Sequence, residues 1–223
     1  MDKILKIATK ELGIREYPGP DHNPRIIKYA EEAGMDWVND DETPWCSIFL
    51  NWVCEKAHFE RSHAAAARSW LNIGSHTDLP EPGHIVVYWR ISPTSWQGHV
   101  GIFLGYSKNR KRIYTLGGNQ QNAVSISAYN SDQLLGFRVL KSTIDLQLST
   151  ETLNLGDRGP AVVKLQDALK MGGFDCGTSD GFFGPMTEKA VKKLQRASGG
   201  DLEIDGIFGR DSRLFLIDLV QNG

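Results

Sequence analysis

Charged and apolar positions mix throughout MDKILKIATKELGI, the pattern of an amphipathic helix over about Lys3–Leu12. NPRIIKYAEEAG predicts a second helix over Asn23–Ala33, with Pro24 suited to the first helical position and Gly34 to a stop. Ser47–Ala57 and Ala64–Leu71 read as two more. Then the texture changes. GHIVVYWR (Gly83–Arg90), GHVGIFLGYS (Gly98–Ser107), RIYTLGG (Arg112–Gly118), AVSISAY (Ala123–Tyr129) and LLGFRVL (Leu134–Leu140) are β-branched and aromatic runs separated by turn residues. Helices followed by an antiparallel sheet make an α+β pattern. Lys141 to Leu153 is polar, rich in Ser and Thr, and predicts a linker over residues 141–152. From Leu153 onward, Asp-Gly-x-Phe-Gly occurs at Asp180 and at Asp205, each time ahead of a helical run. With the helix carrying Val162, Leu165 and Leu169, residues 153–223 predict a small three-helix unit in which Phe183 and Phe208 are buried anchors.

The chain has 223 residues, a comfortable length for two domains, and its hydrophobic content of 40% supports real cores. A formal net charge of −2 gives no electrostatic case for nucleic acid. The basic run KNRKR (Lys108–Arg112) lies between two strand-like runs and predicts a solvated hairpin tip. Three cysteines without a CxxC pair write neither a disulfide framework nor a zinc site. No secretory signal and no membrane span are read, so synthesis in the cytoplasm and later release are expected.

TPWCSIFLNW sets Cys46 directly after a Thr-Pro-Trp turn, in the first turn of a helix. Helix amides point outward there and favour negative charge, which suits a thiolate nucleophile. Ile48, Phe49, Trp52 and Val53 supply an apolar face to anchor the helix, and Cys54, well inside it, suits core packing. A thiol nucleophile needs a base. Of six histidines, His99 stands out: it starts a strand-like run with Gly98 and Gly101 beside it, which leaves room for an imidazole edge. A third group must hold the ring, and Asn119 and Gln120 follow the next strand in LGGNQ. Strand parity alone does not choose between them.

TPWCSIFLNWVCEKA, GHVGIFLGY and TLGGNQQNAVSI, in that order, resemble the papain-like cysteine peptidoglycan hydrolases of the cysteine, histidine-dependent amidohydrolase/peptidase (CHAP) type, over roughly Lys3–Leu140. The resemblance implies a papain-like catalytic domain over residues 1–140, with Cys46 as nucleophile, His99 as base and Asn119 as the orienting residue. It implies a thiolate–imidazolium pair that cleaves an amide of the wall peptide. His84, in EPGHIVVYW, takes no catalytic role. Some relatives bind calcium on an acidic loop before the cysteine. Here NDDET (Asn39–Thr43) lacks an alternating ligand pattern, so neither metal nor cofactor is expected. LGDRGPAVVKLQDAL, DGFFGPMTEKAVKKLQ and DGIFGRDS likewise resemble the three-helix peptidoglycan-binding domain.

Together these readings describe a monomeric, endolysin-like peptidoglycan hydrolase that acts on the wall after release by a holin or secretion machinery. An interbacterial amidase toxin would share the chemistry, and a non-catalytic wall-binding protein would lack it. A glycosidase would need two carboxylates across a cleft, for which Glu11, Glu16, Glu31 and Glu32 are the candidates.

Overall fold

Asn23 caps α2 (Pro24–Glu32), its side chain accepting the Arg25 N–H, and Pro24 occupies the first turn where a missing N–H costs nothing. The computed structural model describes residues 2–222 and divides the chain into two units, one ending at Thr143 and one starting at Ile144. In the first unit α1 (Asp2–Ala8) runs into a 3-10 turn over Thr9–Glu11, so the expected first helix is α-helical only in part. α3 (Cys46–Ala57) starts at the cysteine itself and ends on His58, whose φ of 60° makes the left-handed cap. The run expected as a fourth helix is a 3-10 segment, Ala67–Asn72.

Six strands follow: β1 (Ser75–Thr77), β2 (Ile85–Trp89), β3 (Gly98–Tyr106), β4 (Arg112–Gly117), β5 (Ser125–Asn130) and β6 (Leu134–Val139). They form one antiparallel sheet in the order β1-β6-β2-β3-β4-β5. β1 was not legible in the sequence; it is a polar three-residue edge strand on β6. The mixed α+β architecture is as the pattern predicts. α1, α2 and α3 cover one face, where Tyr29, Trp45, Phe49, Trp52 and Trp70 join Val87, Val100, Ile102 and Leu116 in the main core. On the other face Val86, Tyr88, Phe103, Ile113 and Phe137 make a smaller cluster. Lys108–Arg112 turns from β3 into β4 and is exposed throughout. In the polar stretch after β6, the Thr143 N–H donates to the His58 carbonyl at 2.8 Å, whereas Ile144, Leu146 and Leu148 pack on the second unit's core.

The second unit is built on α4 (Pro160–Met171), α5 (Pro185–Ala197) and α6 (Arg210–Asn222). Phe183 and Phe208 are buried in its core with Leu165, Leu169 and Leu194. The sequence repeat has a physical counterpart in two buried glutamines. Gln166 Nε2 donates to Asp180 Oδ1 at 2.9 Å, to the Phe182 carbonyl and to Thr187 Oγ1, and its Oε1 accepts the Gly181 N–H. Gln195 repeats the set with Asp205 Oδ1 at 2.7 Å, the Ile207 carbonyl, Ser212 Oγ and the Gly206 N–H. Each amide ties one Asp-Gly turn to the helix before it and the helix after it. Gly181 and Gly206 supply the left-handed backbone, with φ of 73° and 83°. Gln166→Ala or Gln195→Ala strands several buried groups at once. Each should destabilise the second unit by about 2–4 kcal/mol, from roughly 1–3 kcal/mol per orphaned group less partial hydration. Denaturant melts of single variants measure this, and a loss below about 0.5 kcal/mol, the scale of a neutral surface change, would contradict it.

Candidate active site

Cys46 opens α3 and is 4% exposed, packed among Trp45, Ile48 and Phe49. Its thiol comes against β3 where the Val100 N–H points at it, one residue from His99. The N–H groups of Ser47 and of Cys46 itself also face the sulfur. Burial nevertheless dominates and pushes the thiol above its ordinary range, with Arg90's charge and these donors opposing it. Cys54 is fully buried within α3, and Cys176 donates to the Gln166 carbonyl at 3.4 Å in the second unit. All three cysteines are free.

His99 is fully buried. Its ring stacks on Tyr129 with centroids 4.8 Å apart, and Tyr129 stacks in turn on Tyr88 at 4.6 Å. Nε2 lies 3.2 Å from Gln120 Oε1. The amide's orientation is set by its other end: Gln120 Nε2 donates to the carbonyls of Thr115 and Ser125, which leaves Oε1 for the ring. Nε2 therefore carries the proton. Nδ1 is an acceptor and faces Arg90 Nη2 at 3.4 Å. Burial first, and Arg90's charge second, push the imidazole down to about 3 against the pull of Gln120. Thiol and ring share no hydrogen bond. Both shifts favour the neutral forms of thiol and ring over the thiolate–imidazolium pair that the resemblance implies.

The orienting residue also needs correction. Asn119 does not reach His99; Gln120 does. Asn119 adopts φ of 54°, so the alternation of β4 does not continue past Gly118. Gln121 and Asn122, at 55° and 61°, then form a two-residue hairpin turn closed by the Gln120 N–H on the Ala123 carbonyl. The two glycines of LGGNQ make the arrangement fit. A Cβ on Gly117 would stand 3.5 Å from His99 Nε2 and 3.4 Å from Gln120 Oε1. One on Gly118 would meet Trp45 at 2.6 Å and Phe49 at 2.7 Å, so the loop lies directly on the start of α3. Tyr88, Tyr129 and Arg90 were missed in the sequence. Their one legible signal is a polar-tipped residue at the end of an apolar strand run.

The other candidates have structural duties. His84 is buried and its Nδ1 accepts the Glu81 N–H at 3.0 Å. Asp40 accepts the N–H groups of Glu42 and Thr43; Asp41 accepts those of Tyr17 and Asn23 and pairs with His22. The acidic loop thus turns its oxygens on its own backbone. Glu11 is held by Arg25 and by the Tyr29 hydroxyl at 2.6 Å, Glu16 by the Trp45 indole at 2.7 Å, and Glu32 by the Trp52 indole and Lys56.

The match to a known family falls within the second unit. Residues 158–213 match the family described as "Putative peptidoglycan binding domain", so this unit carries a peptidoglycan-binding domain. The spore cortex-lytic enzyme of Bacillus cereus is 32% identical over 87 residues, 37% of this chain and 33% of that protein. The chain thus spans about a third of the length of the curated relatives it matches. The crystal structure of SleB N-terminal domain is 33% identical, with 33% of this chain and 97% of that one covered and a TM-score of 0.31. A peptidoglycan-binding protein from Clostridioides difficile, solved with glutamine hydroxamate, is 22% identical over 59% of this chain and 66% of that one, with a TM-score of 0.30.

Two outcomes follow from the geometry. Iodoacetamide should label Cys46 slowly at neutral pH, with a rate that climbs through a midpoint above the ordinary thiol value of about 8.5. A rate plateau between about pH 5 and 7 would instead reveal a preformed ion pair, since a depressed thiol would already be ionised there. Gln120→Ala should lower turnover by about ten- to a thousand-fold, on the order of 1–4 kcal/mol of barrier, while Asn119→Ala stays close to wild type. Steady-state rates on wall fragments decide between the two residues.

Proposed function

We propose that the protein is a modular cell-wall hydrolase: a papain-like, cysteine-dependent amide hydrolase of the CHAP type joined to a peptidoglycan-binding domain. The observation that carries this reading is Cys46 on the first turn of α3, set against β3 beside a histidine whose tautomer Gln120 fixes, in a chain whose other unit carries the wall-binding domain. The substrate is an amide of the peptidoglycan stem, at the sugar–peptide junction or within the peptide. The chemistry is acyl transfer and uses no metal. His99 Nδ1 takes the thiol proton as Sγ attacks the amide carbon. The tetrahedral oxyanion forms beside the Cys46 N–H at the positive end of α3. The imidazolium then gives its proton to the departing amine, leaving a thioester on Cys46. Water, deprotonated by His99, releases the acid and restores the thiol. Gln120 keeps the ring in register throughout.

The protein acts on the wall outside its site of synthesis, after release by a holin or a secretion machine. Among the described residues no helix is long and apolar enough to cross a membrane. The glycosidase reading has no support in the site, because Glu11, Glu16 and Glu32 are bound to structural donors rather than paired across a cleft.

Purified sacculi test the proposal. Wild-type protein should clear them and release free amines without reducing sugar ends. Cys46→Ala should abolish clearing and keep binding, while Cys54→Ala and Cys176→Ala retain most activity. EDTA should have no effect. Mass spectrometry of the muropeptides names the bond. Clearing by Cys46→Ala at the wild-type rate refutes the cysteine mechanism. Binding without any clearing by the wild type makes the protein a non-catalytic wall binder. A chain ending at Thr143 should cleave soluble fragments yet hold sacculi more weakly, because tethering no longer raises its concentration at the wall.

A further inference from the structure

Arg90 follows β2 directly, where the chain leaves the sheet for the loop over residues 90–97. Its side chain is exposed, yet Nη2 reaches to 3.4 Å from His99 Nδ1, and its charge acts on Cys46, His99 and Tyr129 together. Four other arginines of this unit donate to protein oxygens. Arg25 pairs with Glu11 and Arg61 with Glu55, while Arg68 and Arg138 donate to main-chain carbonyls. No carboxylate of the described residues lies within ion-pair distance of Arg90. A guanidinium has five donors and no acceptor, and among the described residues the one side-chain hydrogen-bond partner of this one is a single ring nitrogen at long range. The loop is nevertheless braced: Arg68 donates to the carbonyls of Ser95 and Pro93, and Ser92 Oγ accepts the Ser95 N–H. A cation without a protein anion among the described residues therefore stands beside the buried imidazole.

In the mechanism proposed above Nδ1 accepts the thiol proton, and Arg90 stands against that nitrogen. An arginine displaced from a weak contact needs a better partner, and a carboxylate offers two parallel charge-assisted bonds. Stem peptides of peptidoglycan carry free carboxylates beside their amides. We propose that Arg90 is the specificity residue of this site: it binds a stem-peptide carboxylate next to the scissile amide, and in doing so withdraws from His99 Nδ1. The inference rests on the amide-hydrolase reading above. Substrate binding and release of the base are then one event, and uncharged amides gain little from the site.

The test uses the full chain and a panel of muropeptides identical except that each stem carboxylate in turn is replaced by its carboxamide. Wild-type protein, Arg90→Ala, Arg90→Gln and Arg90→Lys are compared by kcat and KM from released amine. Wild type should prefer the free acid at one position by about ten- to a hundred-fold in kcat/KM, the scale of a charged hydrogen bond, with most of the difference in KM. Arg90→Ala and Arg90→Gln should reduce that preference to about threefold or less, and Arg90→Lys should keep an intermediate one, because it retains charge but not the fork. Wild type indifferent to every carboxylate, or Arg90→Ala and Arg90→Gln retaining the full preference, overturns the assignment and leaves the hydrolase reading standing. A wild type that cleaves no member of the panel removes both.

Discussion

The imidazole of His99 is fully buried against Tyr129, and the geometry of the first unit follows from keeping that ring in one state. A buried ring nitrogen must find a partner, and Gln120 Oε1 supplies it. That amide can present its oxygen only because its NH2 end is spent on the carbonyls of Thr115 and Ser125. Those carbonyls belong to β4 and to the start of β5, so the hairpin must close tightly enough to bring both to one side chain. The left-handed residues at positions 119, 121 and 122 achieve this closure, and Gly118 lets the same loop rest on Trp45 and Phe49. The start of α3 is thereby set against the strand ends that hold the histidine. A thiol on the first residue of the helix and a ring at the start of β3 share one region because one loop braces both.

Periodicity and composition made the main elements of this arrangement legible. The three α-helices of the first unit, five of its six strands and the position of Cys46 at a helix start follow from local patterns that the chain obeys. What escaped is where side-chain direction depends on backbone that leaves the regular regions. Asn119 and Gln120 differ by one position, and parity would separate them on a continuing strand. With Asn119 in the left-handed region the alternation lapses, and the longer amide is the one aimed at the ring. Arg90 escaped for a related reason: a cation after an apolar strand looks like an ordinary solvated end. β1 and the 3-10 segment over Ala67–Asn72 lack strong propensity and are fixed by packing on β6 and under Trp70. In the second unit the repeated Asp-Gly turns and Leu-Gln helix ends were visible, but not that the glutamines organise the turns. Their role appears only when helix and turn are brought together.

The family match over residues 158–213 falls on the unit whose architecture repeats, where Gln166 and Gln195 each tie one Asp-Gly turn to its helices. The chemistry proposed for the first unit rests instead on its own side chains. There the carboxylates are the least available groups: three of the four considered for a glycosidase are committed to Arg25, Trp45, Trp52 and Lys56. The groups left around His99 are a thiol near the same strand and a guanidinium on the ring, and the proposed attack by sulfur is the mechanism that uses them.

On the proposed reading, shifts toward the neutral pair bear on where the energy of the reaction comes from. Burial first and Arg90's charge second disfavour the charged imidazole, so charging it in the closed site carries a cost. A preformed ion pair would carry that cost before any substrate arrived. In the mechanism proposed above, the charge on the ring is created only as sulfur bonds to carbon, when the oxyanion forms beside it and offsets the charge at close range. Of the two causes that hold the ring neutral, burial persists through the reaction, whereas Arg90 is on an exposed side chain that can move. Neutralising or withdrawing that guanidinium therefore raises the basicity of His99 without opening its pocket. On the proposed reading the barrier responds to whatever occupies Arg90, because the same cation both disfavours the imidazolium and stands against the nitrogen that takes the proton.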